Sequence, residues 1–443
     1  MVNPSEDVRP VQLDLMGDWW DCHLYAGRLY LVTIDGDVLD VNWPRLVDSL
    51  ITSELDRLAL DLSFIDARYL YNGEWDRLLR DVEVGSLLRD KLNRIANLDL
   101  EVDAETLVAF GDWHRKVLPE ALSDVDIHRS TFYAGSSAGL ETADLRWISN
   151  RQKHWDGHPS EIRASRGGML AIAAGPDGLR QAITTVGGRR LVEPGEVLRG
   201  DFTGCSWLHA SIYGSSHVNA GALAVFSHQR RERPGRQRTT VRTFEARLDD
   251  SDIFDRERRR KLDETLRDDP SRRQATTEEQ EQELVSENVT ATRFESRYKE
   301  PPTVTAKAHG FSWAGDDRIC RAVDQTVTVV HFQGRSERYS RRIRPAESFR
   351  LDPEDAVIGG DVAPFGVLVE TEDDLLVLTS TGVTRLEFAP VRWRTYPRAT
   401  NYPNQLHVIG EDRIRMLSFL NDDVRRHGKD RPGASFIGRG RRG

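Results

Sequence analysis

Residues 205–221, CSWLHASIYGSSHVNAG, set His209 and His217 among serines that include Ser215, in a stretch free of Asp, Glu, Lys and Arg. A serine hydroxyl becomes a nucleophile when a neighbouring imidazole takes its proton, so acyl-transfer chemistry would assemble here. No GxSxG elbow accompanies these residues, and a buried histidine bonded to backbone is the commoner outcome of such a pattern. His154 and His158 lie four apart in HWDGH, the spacing of a helical metal site. The Asp-Gly inside that motif argues against a helix and no third ligand stands out, so no metal is assigned and no cofactor is expected. Neither GxxxxGK[ST] nor a GxGxxG opening a helix offers a phosphate cradle.

Arginine clusters twice. Arg230, Arg231, Arg233, Arg236 and Arg238 crowd one segment, and Arg439, Arg441 and Arg442 close the chain near Phe436. Guanidinium groups can seat phosphates and gain affinity from released counterions, which makes nucleic acid a possible partner. The ordinary alternatives are a solvated loop neutralised by the acidic residues that follow, and a charged terminus. A formal net charge of -9 excludes a surface made wholly for nucleic acid. Trp19, Trp20 and Trp313 are the aromatic residues that would anchor a protein partner if they stand at a rim, and otherwise they pack a core. Asp35, Asp37, Asp40 and Asp361 fall in turn-like sequence, where Asp is favoured for its local hydrogen bonds.

The elements that must carry these residues read mostly as strands. Residues 29–41, LYLVTIDGDVLDV, alternate on both sides of Asp-Gly, which predicts a hairpin with a tight two-residue turn. Comparable units span 131–145, 169–183, 206–226, 319–332 and 405–419, and residues 365–388 read as three consecutive strands. Two stretches break the pattern. From Pro44 to about Leu118 the apolar spacing turns helical at Leu46, Val47 and Leu50, at Trp75, Leu78, Leu79 and Val82, and at Leu107, Phe110, His114 and Val117. Residues 58–71 inside it alternate like a strand pair. Residues 228–302 are highly charged and poor in apolar side chains, as expected of a solvated helix between disordered arms.

Strand units arriving every 35 to 50 residues or so resemble the irregular β-propellers, whose blades take roughly 40 to 50 residues. The resemblance implies a mainly β fold, a propeller-like repeat of about six or seven blades, with a helical insertion near the N-terminus and a charged, partly disordered arm. The expected organisation is a first β unit at 1–43, the helical insertion with its strand pair at 44–120, repeat units at 121–227, the arm at 228–302, further repeat units at 303–424 and a disordered basic tail at 425–443.

Of 62 basic residues seven are Lys and the rest Arg, a skew that points to a GC-rich prokaryotic genome. Cys22, Cys205 and Cys320 form no CxxC pair, the start lacks the order of a signal peptide, and no apolar run spans a bilayer. The expected location is cytoplasmic, with no membrane partner. Taken together, these features predict a non-enzymatic protein-interaction scaffold in a prokaryotic multiprotein complex. The alternatives are a nucleic-acid-associated accessory protein using the arginine clusters, and a hydrolase with its site in the propeller funnel.

Overall fold

The computed structural model describes residues 10–51, 53–67, 81–128, 130–145, 151–164, 169–183, 195–198, 202, 204–209, 221–230, 237–246, 310–315, 318–323, 325–331, 344–352, 357–379, 382–386, 390–396, 399 and 401–419. Strands β1 (Val11–Met16), β2 (Asp21–Tyr25), β3 (Arg28–Val32) and β4 (Val38–Asn42) lead into helices α1 (Trp43–Ser49), α2 (Glu54–Phe64) and α3 (Val82–Ile95). The short strand β5 (Glu101–Val102) and helix α4 (Ala104–Ala109) precede β6 (Gly111–His114), which pairs with β4 and completes blade 1, in the order β2-β3-β4-β6.

Blade 2 consists of β7 (Leu122–His128), β8 (Thr131–Ser136), β9 (Gly139–Asp144) and β10 (Arg151–Trp155). Blade 3 contains β11 (Glu161–Ala164), β12 (Met169–Ala173), β13 (Leu179–Ile183) and β14 (Gly195–Leu198). Blade 4 has β15 (Gly204–His209), β16 (Gly221–Arg230) and β17 (Gln237–Ala246). Blade 5 is built from β18 (Gly310–Gly315), β19 (Arg318–Val323), β20 (Thr326–His331) and β21 (Arg344–Arg350), and blade 6 from β22 (Val357–Ala363), β23 (Gly366–Thr371), β24 (Leu375–Thr379) and β25 (Gly382–Leu386). Finally β26 (Arg392–Thr395), β27 (Gln405–Ile409) and β28 (Arg413–Ser418) are joined by β1, which pairs antiparallel with β28 from Val11↔Ser418 to Met16↔Arg413, while β5 adds to β1 in parallel.

The described residues thus form seven sheets of successive antiparallel strands, the last completed by the first strand of the chain. That is the organisation of a β-propeller, within the expected six or seven blades. The chain divides into two compact units, residues 1–116 with 351–443, and residues 117–350. In the first, Leu13 and Leu15 of β1 pack with Trp43, Leu46, Leu92 and Ile95 of the helices, and Phe365 stacks on Phe419 at 4.4 Å between centroids. In the second, Tyr133, Leu140, Ile162 and Leu170 pack the sheets of blades 2 and 3. Among the described residues no helix is long and apolar enough to cross a membrane.

Several expectations need correction. The hairpin at 29–41 exists as β3 and β4, but its turn is not the two-residue type. Only Gly36 takes a positive φ, of 79°, and the Gly36 N–H donates to Thr33 O, so three residues join the strands with glycine in the last position. The tight turn with two positive φ values lies one hairpin earlier, at Ala26 and Gly27.

Residues 58–64 belong to α2 instead of a strand. Leu58, Leu60, Leu62 and Phe64 alternate, yet Asp56, Ala59, Leu60, Ser63 and Phe64 also repeat at helical spacing, and this second set is the most deeply buried. The stretch containing Leu107, Phe110 and His114 is helical only to Ala109. His114 lies in β6, where a Cβ at Gly111 would press on Leu39 and the Asp40 carbonyl, so the two strands meet closely. The insertion therefore ends before β6, ahead of the expected residue 120. Likewise β1 belongs to the last sheet and not to a first β unit, and β16 and β17 carry strand into the expected arm at 228–230 and 237–246. The rest of the arm from 247 and the tail from 425 lie outside the described residues, as do Trp75, Leu78 and Leu79.

Candidate functional site

A buried polar cluster sits where β2 meets β26 and β27. Asp21 opens β2 and is wholly buried. Arg394 grips it through both carboxylate oxygens, with Nε donating to Oδ1 at 2.8 Å. Arg392 adds a 3.3 Å contact and lies over the Trp20 ring at 4.0 Å, and His23 Nε2 approaches at 3.4 Å. Burial alone would raise the carboxyl, but the charges of Arg394 and His23 hold Asp21 well below the usual carboxylate range. A bidentate, desolvated pair of this kind fixes geometry more than it offers chemistry.

Next to it lies a neutral node. His407 Nε2 faces Gln405 Oε1 at 3.0 Å, while the Gln405 amide donates to the Ser63 and Phe64 carbonyls at the end of α2. The glutamine oxygen thus requires a proton on Nε2, which leaves Nδ1 as acceptor for the Tyr396 hydroxyl at 3.0 Å, with Cys22 Sγ at 3.5 Å. Burial drives His407 down to about 3 and Cys22 well above the normal thiol range. A cysteine nucleophile works as thiolate beside imidazolium, and both shifts oppose that state. The Trp43 indole N–H (2.7 Å) and Asn404 Nδ2 complete the capping of the α2 C-terminus at Phe64 and Ser63 respectively. The node pins the helical insertion to the blade strands.

Glu370 of β23 is a carboxylate of another kind. Its side chain folds over its cross-strand neighbour Gly359, so that a Cβ there would lie 2.1 Å from Oε2 and 3.0 Å from the Trp393 ring. Burial raises it to about 7, with no charged group among the described residues opposing the shift.

The outward surface of the helical insertion differs from the strands of blade 1, which it interrupts. Asp81 caps α3 by accepting from the Glu83 and Val84 N–H groups at 3.0 and 3.2 Å. Gly85, Leu92 and Ile95 face the core, leaving Val82 79%, Val84 41% and Leu87 51% exposed, and Leu58 on α2 49% exposed. Asp56 of α2, only 2% exposed, takes Lys91 and Arg94 of α3 at 3.3 Å each and ties the two helices together.

The residues singled out from sequence are scattered. Trp19 and Trp313 are buried, Trp19 stacking on Trp113 at 6.0 Å, so neither stands at a rim as expected of a partner anchor. Trp20 is half-buried beneath Arg392. His154 and His158 occupy a strand and the loop after it, bonded to Thr142 Oγ1 at 2.8 Å and to the Ser136 carbonyl at 3.0 Å. No group of metal-ligating side chains occurs among the described residues. His209, Arg230 and Arg238 lie on strands described by backbone alone. Ser215, His217, Arg231, Arg233, Arg236, Arg439, Arg441 and Arg442 fall outside the described residues. Of the carboxylates, Asp37 accepts from Arg115 and the Lys116 N–H, Asp40 pairs with Arg28, and Asp361 accepts from Thr395 Oγ1.

Sequence reasoning missed Asp21, His407, Glu370 and the exposed side of α3. A buried pair whose members are separated by most of the chain leaves no local signal, but the acidic and apolar residues of VEVGSLLRD were there to be read.

No family model matches the sequence, and no curated protein matches it. Among solved structures, the chain is similar to the β-propeller domain of Cps50 (Swd1) from Myceliophteria thermophila, at 7% identity and a TM-score of 0.48 over 92% of this chain and 99% of that one. It is also similar to the AfRom2 CNH domain, at 11% identity and a TM-score of 0.28 over 68% of this chain and 95% of that one. The computationally designed Ika8 protein matches at 6% identity and a TM-score of 0.37, over 93% of this chain and 100% of that one. All three scores fall below 0.5, and the propeller assignment rests on strand order and on the β1–β28 pairing.

Proposed function

We propose that this chain is a protein-interaction scaffold, a cytoplasmic subunit of a prokaryotic multiprotein complex that meets its partner through the helical insertion of residues 43–110. One observation carries the reading. The described strands of blade 1 bury Leu29, Leu31, Leu39 and Val41, whereas α2 and α3 of the insertion that interrupts it leave Leu58, Val84 and Leu87 in water. Exposed apolar side chains on an element anchored by buried hydrogen bonds make a rigid contact surface. The arginine-for-lysine skew supports a prokaryotic source, and the deep burial of His407 and Cys22 favours a structural task for them over catalysis.

The test is purification from the native host at low salt, with and without nuclease. A stoichiometric protein that survives nuclease and is lost in Leu87→Asp supports the scaffold. Nucleic acid in its place, released by salt, would move the function to the arginine clusters. A chain recovered alone would sink both.

A further inference from the structure

We propose that Glu370 of β23 and Trp393 of β26 together receive an arginine side chain of another protein, at a place apart from the helical insertion. Both residues close on one glycine. A Cβ at Gly359 of β22 would lie 2.1 Å from Glu370 Oε2 and 3.0 Å from Trp393 Cη2, so the carboxylate oxygen and the indole edge are no more than about 5 Å apart. Among the described residues no hydrogen-bond donor and no charge acts on the Glu370 carboxyl. Glu370 and Trp393 are both half-buried, each keeping part of its surface in water. Val391, beside the start of β26, is 63% exposed, so this end of the strand stands in solvent.

Two finished copies of the same arrangement show what is missing. Arg392 contacts Asp21 at 3.3 Å and lies over the Trp20 ring at 4.0 Å, so one guanidinium serves a carboxylate and an indole at once. Arg115 does the same with Asp37 and with the Trp113 ring, the latter at 4.7 Å. Glu370 and Trp393 supply the carboxylate and the indole of a third such set, and no arginine among the described residues completes it. Burial without a compensating cation raises the Glu370 carboxyl to about 7, so below that pH a proton stands where the other two sets hold a guanidinium.

The chemistry selects arginine over other cations. A guanidinium is planar, stacks on an aromatic face and turns its N–H edge to a carboxylate, and it gives up water more readily than an ammonium. A lysine ammonium is a compact, strongly hydrated point charge with no flat face to lay on a ring. A neutral side chain of the same shape forfeits the ion pair, which is the larger contribution at a carboxylate already half withdrawn from water. The contact goes beyond the scaffold reading, and a peptide tests it without the native partner.

The probe is a capped peptide, Ala-Ala-Arg-Ala-Ala, with controls in which lysine or the neutral isostere citrulline replaces arginine. Each is titrated at pH 8 into the full chain with nitrogen-15 at its tryptophan indoles, the Trp393 signal being identified by its absence in Trp393→Phe. The expected result is a saturable shift of that signal by the arginine peptide, with affinity at least about tenfold lower for citrulline and in Glu370→Gln, and an intermediate response to lysine. Circular dichroism melts no lower than the parent's confirm that Glu370→Gln folds. Equal responses to arginine and citrulline, or indifference to Glu370→Gln, overturn the proposal. So does a rise in affinity when Arg439, Arg441 and Arg442 are replaced by Gln, which would give the site to the chain's own end, or free arginine binding about tenfold more tightly than the peptide, which would give it to a small molecule. A Trp393 signal that does not move overturns the site and leaves the scaffold standing on recovery of its native protein partner.

Discussion

Asp21 and Glu370 are two carboxylates of the same unit, each packed beside β26, with opposite fates. Asp21 is wholly buried yet strongly acidic, because Arg394 closes on both its oxygens and His23 stands next to it. Glu370 is less enclosed and yet is pushed up to about 7, because nothing cationic offsets the loss of water around it. Depth of burial does not rank the two. The deciding quantity is the charge that the neighbouring strand presents, Arg394 to one and the indole of Trp393 to the other.

The sharpest way to break the contrast is to take from Asp21 its bidentate partner, leaving only the longer contacts of Arg392 and His23. Arg394→Met should cost about 3–5 kcal/mol in denaturant unfolding, the cost of stranding a buried ion, and Asp21→Asn in the same chain should recover much of it. Acid comes next. His407 titrates at about 3 when folded and near 6.5 when unfolded, so its stabilisation is complete above pH 6.5 and disappears as the pH falls from there to about 3. The loss is on the order of 4–5 kcal/mol. His407→Gln should flatten that limb in a pH series of unfolding midpoints.

Glu370 runs the other way. Folding holds its proton between its unfolded value of 4.5 and about 7, so stability declines as pH rises through that window and levels off above it. Allowing for its contact with water, the decline is about 1–2 kcal/mol, and Glu370→Gln should abolish it and exceed the parent in stability at pH 8. The smallest effect belongs to Leu87→Asp. Exposed as it is, the substitution should shift stability by no more than about 0.5 kcal/mol while removing partner binding.

What could be read in the sequence follows from range. The β3–β4 hairpin, the β8–β9 and β12–β13 pairs, the three strands β23–β25 and the β27–β28 hairpin were all visible, since alternation and turn residues act over a dozen positions. The α2 segment was misread because its leucines satisfy two periods at once, and packing against α3 chose between them. The Asp35-Gly36 turn was misjudged because Asp-Gly suits both two- and three-residue hairpins. The site was far less legible. Arg394 meets Asp21 across 373 positions, and nothing in either neighbourhood announces the other.

The pairing of β1 with β28 sets an order of events during synthesis. The strand made among the first residues waits without its antiparallel neighbour until the last strands emerge, some 400 residues later. Each of blades 2 to 5 draws its strands from one continuous stretch and can pair them as they appear, but the final sheet cannot. Until then the backbone edge of β1 from Val11 to Met16 lacks the strand that will pair with it, and a nascent chain stalled before β28 would carry that edge into the cell open.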